Sequence, residues 1–231
     1  MVPGMYPYIT ARTAHFDGLF QEALSEGFGQ IVILGAGYDT RALRFESGKV
    51  RTTVFELDAP ATRQYKRQCL AKAGMDAPDG VRSASVDLKE TDWPSTLETL
   101  GHRPSEPTVF FMEGLLMYLD ADTIDGILAS IRQSAAAGSR IVFDATARSV
   151  VDGTGDQYGA KGVMARASDH GETFLSGIEP EEMPEFLRAK GFTVRTHLLS
   201  EDLEKRFLGD FDPSLIGPIS GCFTNVVAEV S

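Results

Sequence analysis

Short apolar runs alternate along the chain with longer segments in which apolar residues recur every three or four positions. The runs at residues 30–34 and 108–112 are apolar almost throughout and do not alternate with polar residues, as is typical of parallel strands buried on both faces. The longer segments have the spacing of amphipathic helices. This alternation predicts an α/β fold with a doubly wound, mostly parallel sheet.

The same patterns predict a single domain with a seven-stranded sheet. Thr10 is the predicted N-cap of the first helix, and Asp120 or Asp122 is the predicted cap of a helix that follows the fourth strand. The last two strands are expected to pair as a hairpin-like unit after five parallel strands. We predict strands at residues 30–34, 52–58, 81–88, 108–112, 140–145, 192–199 and 222–230, and helices at 10–27, 60–73, 95–100, 123–137, 179–191 and 201–208.

Residues 150–177 differ in composition from the rest of the chain. They are rich in Gly, Asp, Ser and Thr, and they follow the predicted fifth strand. A loop of this length inside a compact domain is usually a lid or a binding element, or else it is disordered. We therefore predict that this 150–177 segment is a loop that forms a substrate-covering lid, with an unstructured surface loop as the alternative.

The first predicted strand ends in the stretch Leu34-Gly35-Ala36-Gly37-Tyr38-Asp39-Thr40-Arg41. Two glycines here allow a sharp turn and let a ligand approach bare backbone. This is typical of the first strand-to-helix turn of a nucleotide-binding sheet. Thr40 stands where a dinucleotide fingerprint has its third glycine, whose role is close packing at the pyrophosphate. An NAD-type oxidoreductase is therefore the weaker interpretation, and a less phosphorylated nucleoside fits better.

Acidic residues follow three more strand-like runs. Glu56 comes about 20 residues after the glycines, at the spacing of an acid that binds ribose hydroxyls. Asp87 and Glu113 end the third and fourth runs in the same way. The carboxyl ends of parallel strands line the ligand crevice of an open α/β sheet. The pattern thus predicts a nucleoside site, with the glycines facing the ligand, Glu56 at ribose and Asp87 at adenine.

Four stretches together resemble the leucine carboxyl methyltransferase family, which also includes bacterial polyketide carboxyl and O-methyltransferases. They are residues 11–17, with Arg12-Thr13 and Asp17, then 34–41, 55–60 (Phe-Glu-Leu-Asp-Ala-Pro) and 113–119. The resemblance implies a class I methyltransferase, Rossmann-like fold and S-adenosyl-L-methionine as cofactor. It also implies O-methyl transfer to a carboxylate or a hydroxyl group.

The resemblance further implies roles for particular residues. It places Arg12 near the methionine carboxylate of the cofactor, and Glu113 near its amino group or the substrate. The residues expected at the cofactor are Arg12, Gly35, Ala36, Gly37, Asp39, Thr40, Glu56, Leu57, Asp58, Asp87, Leu88 and Glu113. The candidate catalytic residues are Glu113, Tyr118 and His170. A carboxylate acceptor needs no general base, whereas a hydroxyl acceptor could use His170 or Asp156.

Net charge narrows the class of partner. The formal charge of −11 argues against nucleic acid and against an anionic membrane surface, because both are bound through Lys and Arg. Cys69 and Cys222 are far apart and indicate neither a metal site nor a disulfide framework. We see no signal peptide and no apolar run long enough to span a membrane, and we expect a cytoplasmic protein.

Relatives usually have a longer helical segment ahead of the helix that carries Arg12, and here only about ten residues precede it. We therefore expect an acceptor pocket that is more open or is completed by a second copy in a homodimer. This favours a small-molecule substrate over a protein C-terminus. A non-catalytic nucleoside-binding or scaffold protein with the same fold remains an alternative, because methyl transfer requires no particular side chain.

Overall fold

The computed structural model describes residues 2–45, 52–90, 92–169, 171–210 and 217–231. Its helices are α1 (Met5–Ser25), α2 (Arg41–Arg44), α3 (Pro60–Lys72), α4 (Trp93–Thr99), α5 (Ala121–Ser134), α6 (Arg148–Val151), α7 (Ala160–Asp169), α8 (Met183–Ala189) and α9 (Ser200–Phe207), with 3₁₀ turns at Leu116–Tyr118 and Pro180–Glu182. Its strands are β1 (Gln30–Leu34), β2 (Thr53–Asp58), β3 (Val81–Ser85), β4 (Thr108–Met112), β5 (Arg140–Thr146), β6 (Phe192–Leu199) and β7 (Phe223–Val230).

The seven strands form one sheet in the order β3-β2-β1-β4-β5-β7-β6. The first five are parallel, and β7 lies antiparallel between β5 and β6. This confirms the predicted sheet, including the pairing of the last two strands. β1 lies between β2 on one side and β4 on the other, so the order of the strands reverses at β1. The carboxyl ends of β1 and β4 therefore border the crevice where open α/β sheets bind ligands.

Helices pack on both faces of the sheet. On one face, α4, α5 and α8 bury apolar side chains such as Leu97, Ile127 and Leu187 against alternate residues of the strands. On the other face, α1 packs Phe16 and Phe20 against the sheet. A sheet covered in this way needs strands that are apolar on both sides, which explains the continuous apolar runs in the sequence.

The first helix begins at Met5, so the prediction that Thr10 is its N-cap was wrong. Thr10 lies inside the helix, where its hydroxyl donates to the carbonyl oxygen of Tyr6 at 3.0 Å. Pro7 suggests a helix boundary, but it falls in the first turn, where backbone N–H groups have no helical partner in any case. Asp120 is the cap of α5, accepting from the backbone N–H of Thr123 at 2.8 Å.

The 150–177 segment is not the continuous loop that its composition predicts. It contains the end of α6 and the ten-residue helix α7. Ala160, Val163 and Ala167 have helical spacing and are buried with Tyr8 of α1 and Leu203 of α9. Small apolar residues among many Gly, Ser and Asp residues hid this helix from sequence reasoning. The segment is thus anchored to the body of the domain through an apolar cluster.

Candidate functional site

A cleft of about 290 Å³ opens at the carboxyl ends of β1 and β4. We call it the glycine cleft, and it is lined by Arg12, Thr13, Ile33, Gly35, Ala36, Gly37, Tyr38, Asp39, Thr40, Arg41, Arg44 and Glu113. The structure thus brings together seven of the predicted cofactor residues, namely Arg12, Gly35, Ala36, Gly37, Asp39, Thr40 and Glu113. The other five, Glu56, Leu57, Asp58, Asp87 and Leu88, do not line it.

The glycine turn is held in place by the end of β2. The backbone N–H groups of Gly35 and Ala36 donate to the carbonyl oxygen of Leu57, at 2.9 and 3.1 Å, and that of Gly37 donates to the Asp58 carboxylate at 2.5 Å. Both glycines have positive φ, 66° and 49°, which residues with a Cβ rarely adopt. The side chain of Leu57 is buried in the core and its carbonyl oxygen fixes the turn, whereas its predicted contact with the cofactor stays a prediction.

The helix that follows the turn is only one turn long. Its first free N–H, from Arg41, donates at 2.7 Å to the carboxylate of Asp39. A negative group therefore already occupies the position where a dinucleotide-binding protein offers helix N–H groups to phosphate. This geometry disfavours a pyrophosphate, in agreement with the argument from Thr40.

Arg41 is the centre of an ion-pair network that the sequence analysis missed. It is 4% exposed and donates to Asp17 at 3.0 Å, to Asp39 at 2.5 Å and also to Glu113. Burial alone would lower the pKa of Arg41. The nearby carboxylates, Glu113 first and then Asp39, outweigh burial and raise the pKa, so the guanidinium stays charged. Arg44 adds a bidentate pair with Asp17, at 2.6 and 2.8 Å.

Arg12 also lines the glycine cleft and shares the Glu113 carboxylate with Arg41, and its predicted contact with the methionine carboxylate stays a prediction. Its Nη1 donates to Asp144 at 2.9 Å. Its Nε lies 3.0 Å from a Glu113 oxygen, close enough for charge attraction, but the N–H points away from that line. Among the described residues this buried Nε has no hydrogen-bond partner. Glu113 thus lies between two arginines, Arg12 and Arg41, at the end of β4.

Asp144, near the end of β5, fixes the position of Arg12. It is fully buried and accepts hydrogen bonds from the Tyr8 hydroxyl at 3.0 Å and from the Gly114 N–H at 2.5 Å. Burial, and then Asp144, raise the pKa of Tyr8, so Tyr8 remains a donor. Sequence reasoning assigned no role to Asp144 or Tyr8. An acid near the carboxyl end of an apolar strand was nevertheless the signal that identified Glu113, and it applies equally to Asp144.

The second strand ends at Asp58, as predicted, so Glu56 is two residues inside it. Its carboxylate accepts from Lys66 of α3 at 2.7 Å, and both side chains are 12% exposed. Burial raises the pKa of Glu56, although Lys66 opposes this shift. A contact between Glu56 and ribose therefore stays a prediction, and Asp58 is the acid that touches the glycine turn.

Asp87 and Leu88 lie just beyond the end of β3, which is three residues shorter than predicted. The chain remains at the same sheet edge, because the N–H of Val86 donates to the Asp58 carbonyl oxygen at 2.9 Å. Asp87 is exposed and accepts from the N–H of Lys89 at 3.0 Å, while Leu88 packs partly against the core. Their predicted contact with adenine is untested by this geometry.

The candidate catalytic residues have different surroundings. The Tyr118 hydroxyl donates to Glu172 of the 150–177 segment at 3.0 Å, and burial, then Glu172, raise the pKa of Tyr118 to about 12. At neutral pH, Tyr118 is therefore a hydrogen-bond donor and a poor general base. Asp156 is exposed and does not line the glycine cleft. His170 lies outside the described residues.

The described part of the chain contains no group of three His, Cys, Asp or Glu side chains that could hold a metal ion. Within the same residues, none of the helices combines the length and the apolar character needed to cross a membrane.

Known proteins resemble this chain in sequence and in fold. The sequence profile of the leucine carboxyl methyltransferase family matches residues 1–132. A Streptomyces avermitilis protein that carries the name of an S-adenosyl-L-methionine-dependent methyltransferase is 35% identical over 193 residues, which are 84% of this chain and 65% of that protein. A Mycolicibacterium smegmatis protein of the same description is 36% identical over 192 residues, 82% of this chain and 63% of its own length. This chain thus spans less than two thirds of the length of these relatives.

Solved structures share the fold. The crystal structure of a methyltransferase-like protein from Thermobifida fusca has a TM-score of 0.71 and 18% identity, covering 100% of this chain and 84% of that one. The magnesium protoporphyrin IX methyltransferase of Synechocystis PCC 6803, solved with bound SAH, has a TM-score of 0.57 and 9% identity, covering 96% and 84%. These likenesses support the class I methyltransferase fold.

Proposed function

Because this chain belongs to the leucine carboxyl methyltransferase family, we propose that it binds S-adenosyl-L-methionine in the glycine cleft and transfers the methyl group to an oxygen atom of a small molecule. The charge of the cleft is the observation that carries this proposal. Ion pairs join three arginines to four carboxylates at this site. The arginines are Arg12, Arg41 and Arg44, and the carboxylates are Asp17, Asp39, Glu113 and Asp144.

Asp17 and Asp144 pair with these arginines without lining the cleft, and with them the network has one carboxylate more than it has arginines, which complements the charge of this cofactor. S-adenosyl-L-methionine has a sulfonium and an ammonium group and one carboxylate, so that its net charge is positive. A dinucleotide instead brings two negative phosphates to the same turn, where they would meet Asp39. The cleft therefore favours the sulfonium cofactor over NAD.

The residues present fit the cofactor. A Cβ added to Gly37 would meet only the Gly35 carbonyl oxygen within 4 Å, at 3.8 Å, so the turn offers bare backbone to a ligand. Arg12, with its unpartnered Nε, would bind the methionine carboxylate, and Glu113 would accept from the ammonium group. Glu56 or Asp58 would bind the ribose hydroxyls. When bound, the sulfonium supplies an activated methyl group, and the protein must align the acceptor oxygen with it.

A carboxylate acceptor fits these surroundings better than a hydroxyl. Glu113 is engaged by two arginines and is therefore unsuited to removing a proton. A carboxylate is ionised at neutral pH and needs no base. Tyr118 would hold the acceptor by donating to it the hydroxyl hydrogen that Glu172 accepts in this structure, and the high pKa of Tyr118 keeps that hydrogen in place.

The 150–177 segment would cover the acceptor. The N–H of Leu175 donates at 2.7 Å to the Met117 carbonyl oxygen, which fastens this segment beside Tyr118.

Calorimetric titration with S-adenosyl-L-methionine and with S-adenosylhomocysteine tests the cofactor proposal. We expect saturable binding of one equivalent, weakened about tenfold or more in Glu113→Gln, because a charge-assisted hydrogen bond contributes about 1.5–3 kcal/mol. Glu185→Gln is the matched control, since Glu185 also pairs with an arginine but is exposed on α8. No binding by folded protein, or equal effects of the two variants, would overturn the proposal.

Transfer of a labelled methyl group to panels of small carboxylic acids and phenols then tests the reaction. Product formed from acids alone would support the carboxylate acceptor. Cofactor binding without transfer to any acceptor would instead favour the non-catalytic alternative.

A further inference from the structure

A second cavity, of about 320 Å³, lies between α1 and the sheet. We call it the rear cavity, because it opens at the amino ends of the parallel strands, whereas the glycine cleft opens at their carboxyl ends. Val109, at the start of β4, lines it and pairs in register with Arg140, the first residue of β5, which in turn lies opposite Glu229 of β7. It shares no lining residue with the glycine cleft.

The floor of the rear cavity is apolar. It consists of Val109, Val142 and Val227 from three adjacent strands, with Leu19 and Ala23 of α1 at the side. A volume near 300 Å³ lies at the lower end of the range for small-molecule sites. A single ring or a short branched chain would fill this space.

One wall of the rear cavity presents the buried imidazole of His15. His15 is 3% exposed and packs against the rings of Phe16 and Phe207, and no residue that the structure describes forms a hydrogen bond with its imidazole. Burial, and then Arg206, lower the pKa of His15 to about 4, so that it is neutral at pH 7 and can both donate and accept. The imidazole is therefore available to a ligand group in the cavity.

The rim carries charges of both signs. Arg140 pairs with Glu26 at 2.7 Å and lies 3.9 Å from Glu22, which also lines the cavity, and Arg195 pairs with Glu229 at 2.6 Å. Arg206 of α9 also lines the cavity, lies over the Phe207 ring at 5.4 Å, and has no carboxylate partner among the described residues. The cavity therefore combines an apolar floor with one guanidinium that forms no ion pair with a described acid.

We propose that the rear cavity binds a monoanionic organic acid with a compact apolar body. Its carboxylate would be held by Arg206 and His15, and its apolar body would lie on the three valines. Charge and shape act together here, because a guanidinium binds a carboxylate bidentately while the valines exclude water from the remainder of the ligand. This inference is independent of the proposed methyl transfer, since it uses other residues at the other edge of the sheet.

Benzoate is a suitable probe, with benzamide as its neutral counterpart of the same shape. Titration of the full chain, followed by calorimetry or ligand-observed NMR, should show one saturable site for benzoate and at least tenfold weaker binding of benzamide. Arg206→Gln should weaken benzoate binding at least tenfold. Lys205→Gln, which removes the same charge from the neighbouring exposed position of α9 outside the cavity, should leave it unchanged.

Two further measurements make the test decisive. His15→Phe should also weaken benzoate binding, and a thermal unfolding curve for each variant checks that it is folded. Saturating S-adenosylhomocysteine should not displace benzoate, because the glycine cleft is elsewhere. The absence of saturable binding, equal binding of benzamide, equal effects of Arg206→Gln and Lys205→Gln, or displacement by S-adenosylhomocysteine would each overturn the proposal.

Discussion

Asp144 is fully buried and accepts hydrogen bonds from a helix, from a strand end and from a cleft arginine. We expect Asp144→Asn to lower the free energy of unfolding by about 3 kcal/mol, since it leaves the largely buried Arg12 without its closest counter-charge. Urea denaturation measures this change. Asp125→Asn removes an exposed carboxylate that pairs with Lys190, and it should cost under about 1 kcal/mol. Equal midpoints for the two variants would contradict this role of Asp144.

Two buried histidines make the stability of the protein depend on pH. Burial lowers the pKa of both His15 and His102 to about 4, with smaller contributions from Arg206 and Arg103 respectively, whereas a histidine in an unfolded chain titrates near about 6.5. When the pH falls below about 6.5 the unfolded chain therefore binds protons first, and stability present above that pH is lost progressively down to about pH 4.

Thermal unfolding midpoints measured between pH 8 and pH 4.5 check this expectation. They should be level above pH 7 and should fall below pH 6.5, and the fall should be shallower in a His15→Asn, His102→Gln double variant. An equally steep fall in the double variant would assign the pH dependence to other groups.

At the scale of elements, the glycine turn allows a clean comparison of two glycines. Gly35 has φ of 66°, and an added Cβ would lie 2.9 Å from the Leu115 side chain. Gly27, just after α1, has φ of 82° but no atom within 4 Å of such a Cβ. We expect Gly27→Ala to cost about 1 kcal/mol for backbone strain alone, and Gly35→Ala to cost more. Gly35→Ala should also weaken binding of S-adenosylhomocysteine, as measured by calorimetry. Unchanged binding would show that this turn does not contact the cofactor.

Elements set by local patterns were predictable from the sequence, and features set by distant contacts were not. The apolar strands and the Gly-x-Gly turn have a local signal, so the mostly parallel sheet and a cleft at the glycine turn followed from them, whereas the strand order was not predicted. The helix α7 depends on burial against Tyr8 and Leu203, which its composition does not reveal. Likewise, Asp144 acquires its role only when α1 is brought to β5, which is a contact between residues far apart in sequence.

The same reason explains why the sequence could not choose between two acids in β2. The spacing rule identified an acid near the end of β2, but this strand has two, Glu56 and Asp58. Only the pairing of Glu56 with Lys66 and of Asp58 with the Gly37 N–H distinguishes them, and both contacts are tertiary.

Across the whole molecule, the helices differ in how firmly they are attached. Four side chains of α5, Ile124, Ile127, Leu128 and Ile131, are buried in the core, whereas α3 has no buried side chain. Polar contacts such as that of Lys66 with Glu56 hold α3 to the sheet. Since buried apolar contacts determine the free energy of local opening, we expect amides of α3 to exchange faster than those of α5. Hydrogen exchange read by mass spectrometry on peptides covering 60–72 and 121–134 tests this, and equal protection would refute it.

The position of β7 has a consequence for how the chain folds during its synthesis. β6 precedes β7 in the chain, yet it is joined to the sheet only through β7, which lies between it and β5. Until residues 223–230 have been made and placed, β6 has no partner in the sheet, and one edge of β5 is open to other chains. The five parallel strands can pair before this, but the antiparallel end of the sheet closes in a single later step. Placement of β7 therefore both covers the exposed edge of β5 and attaches β6.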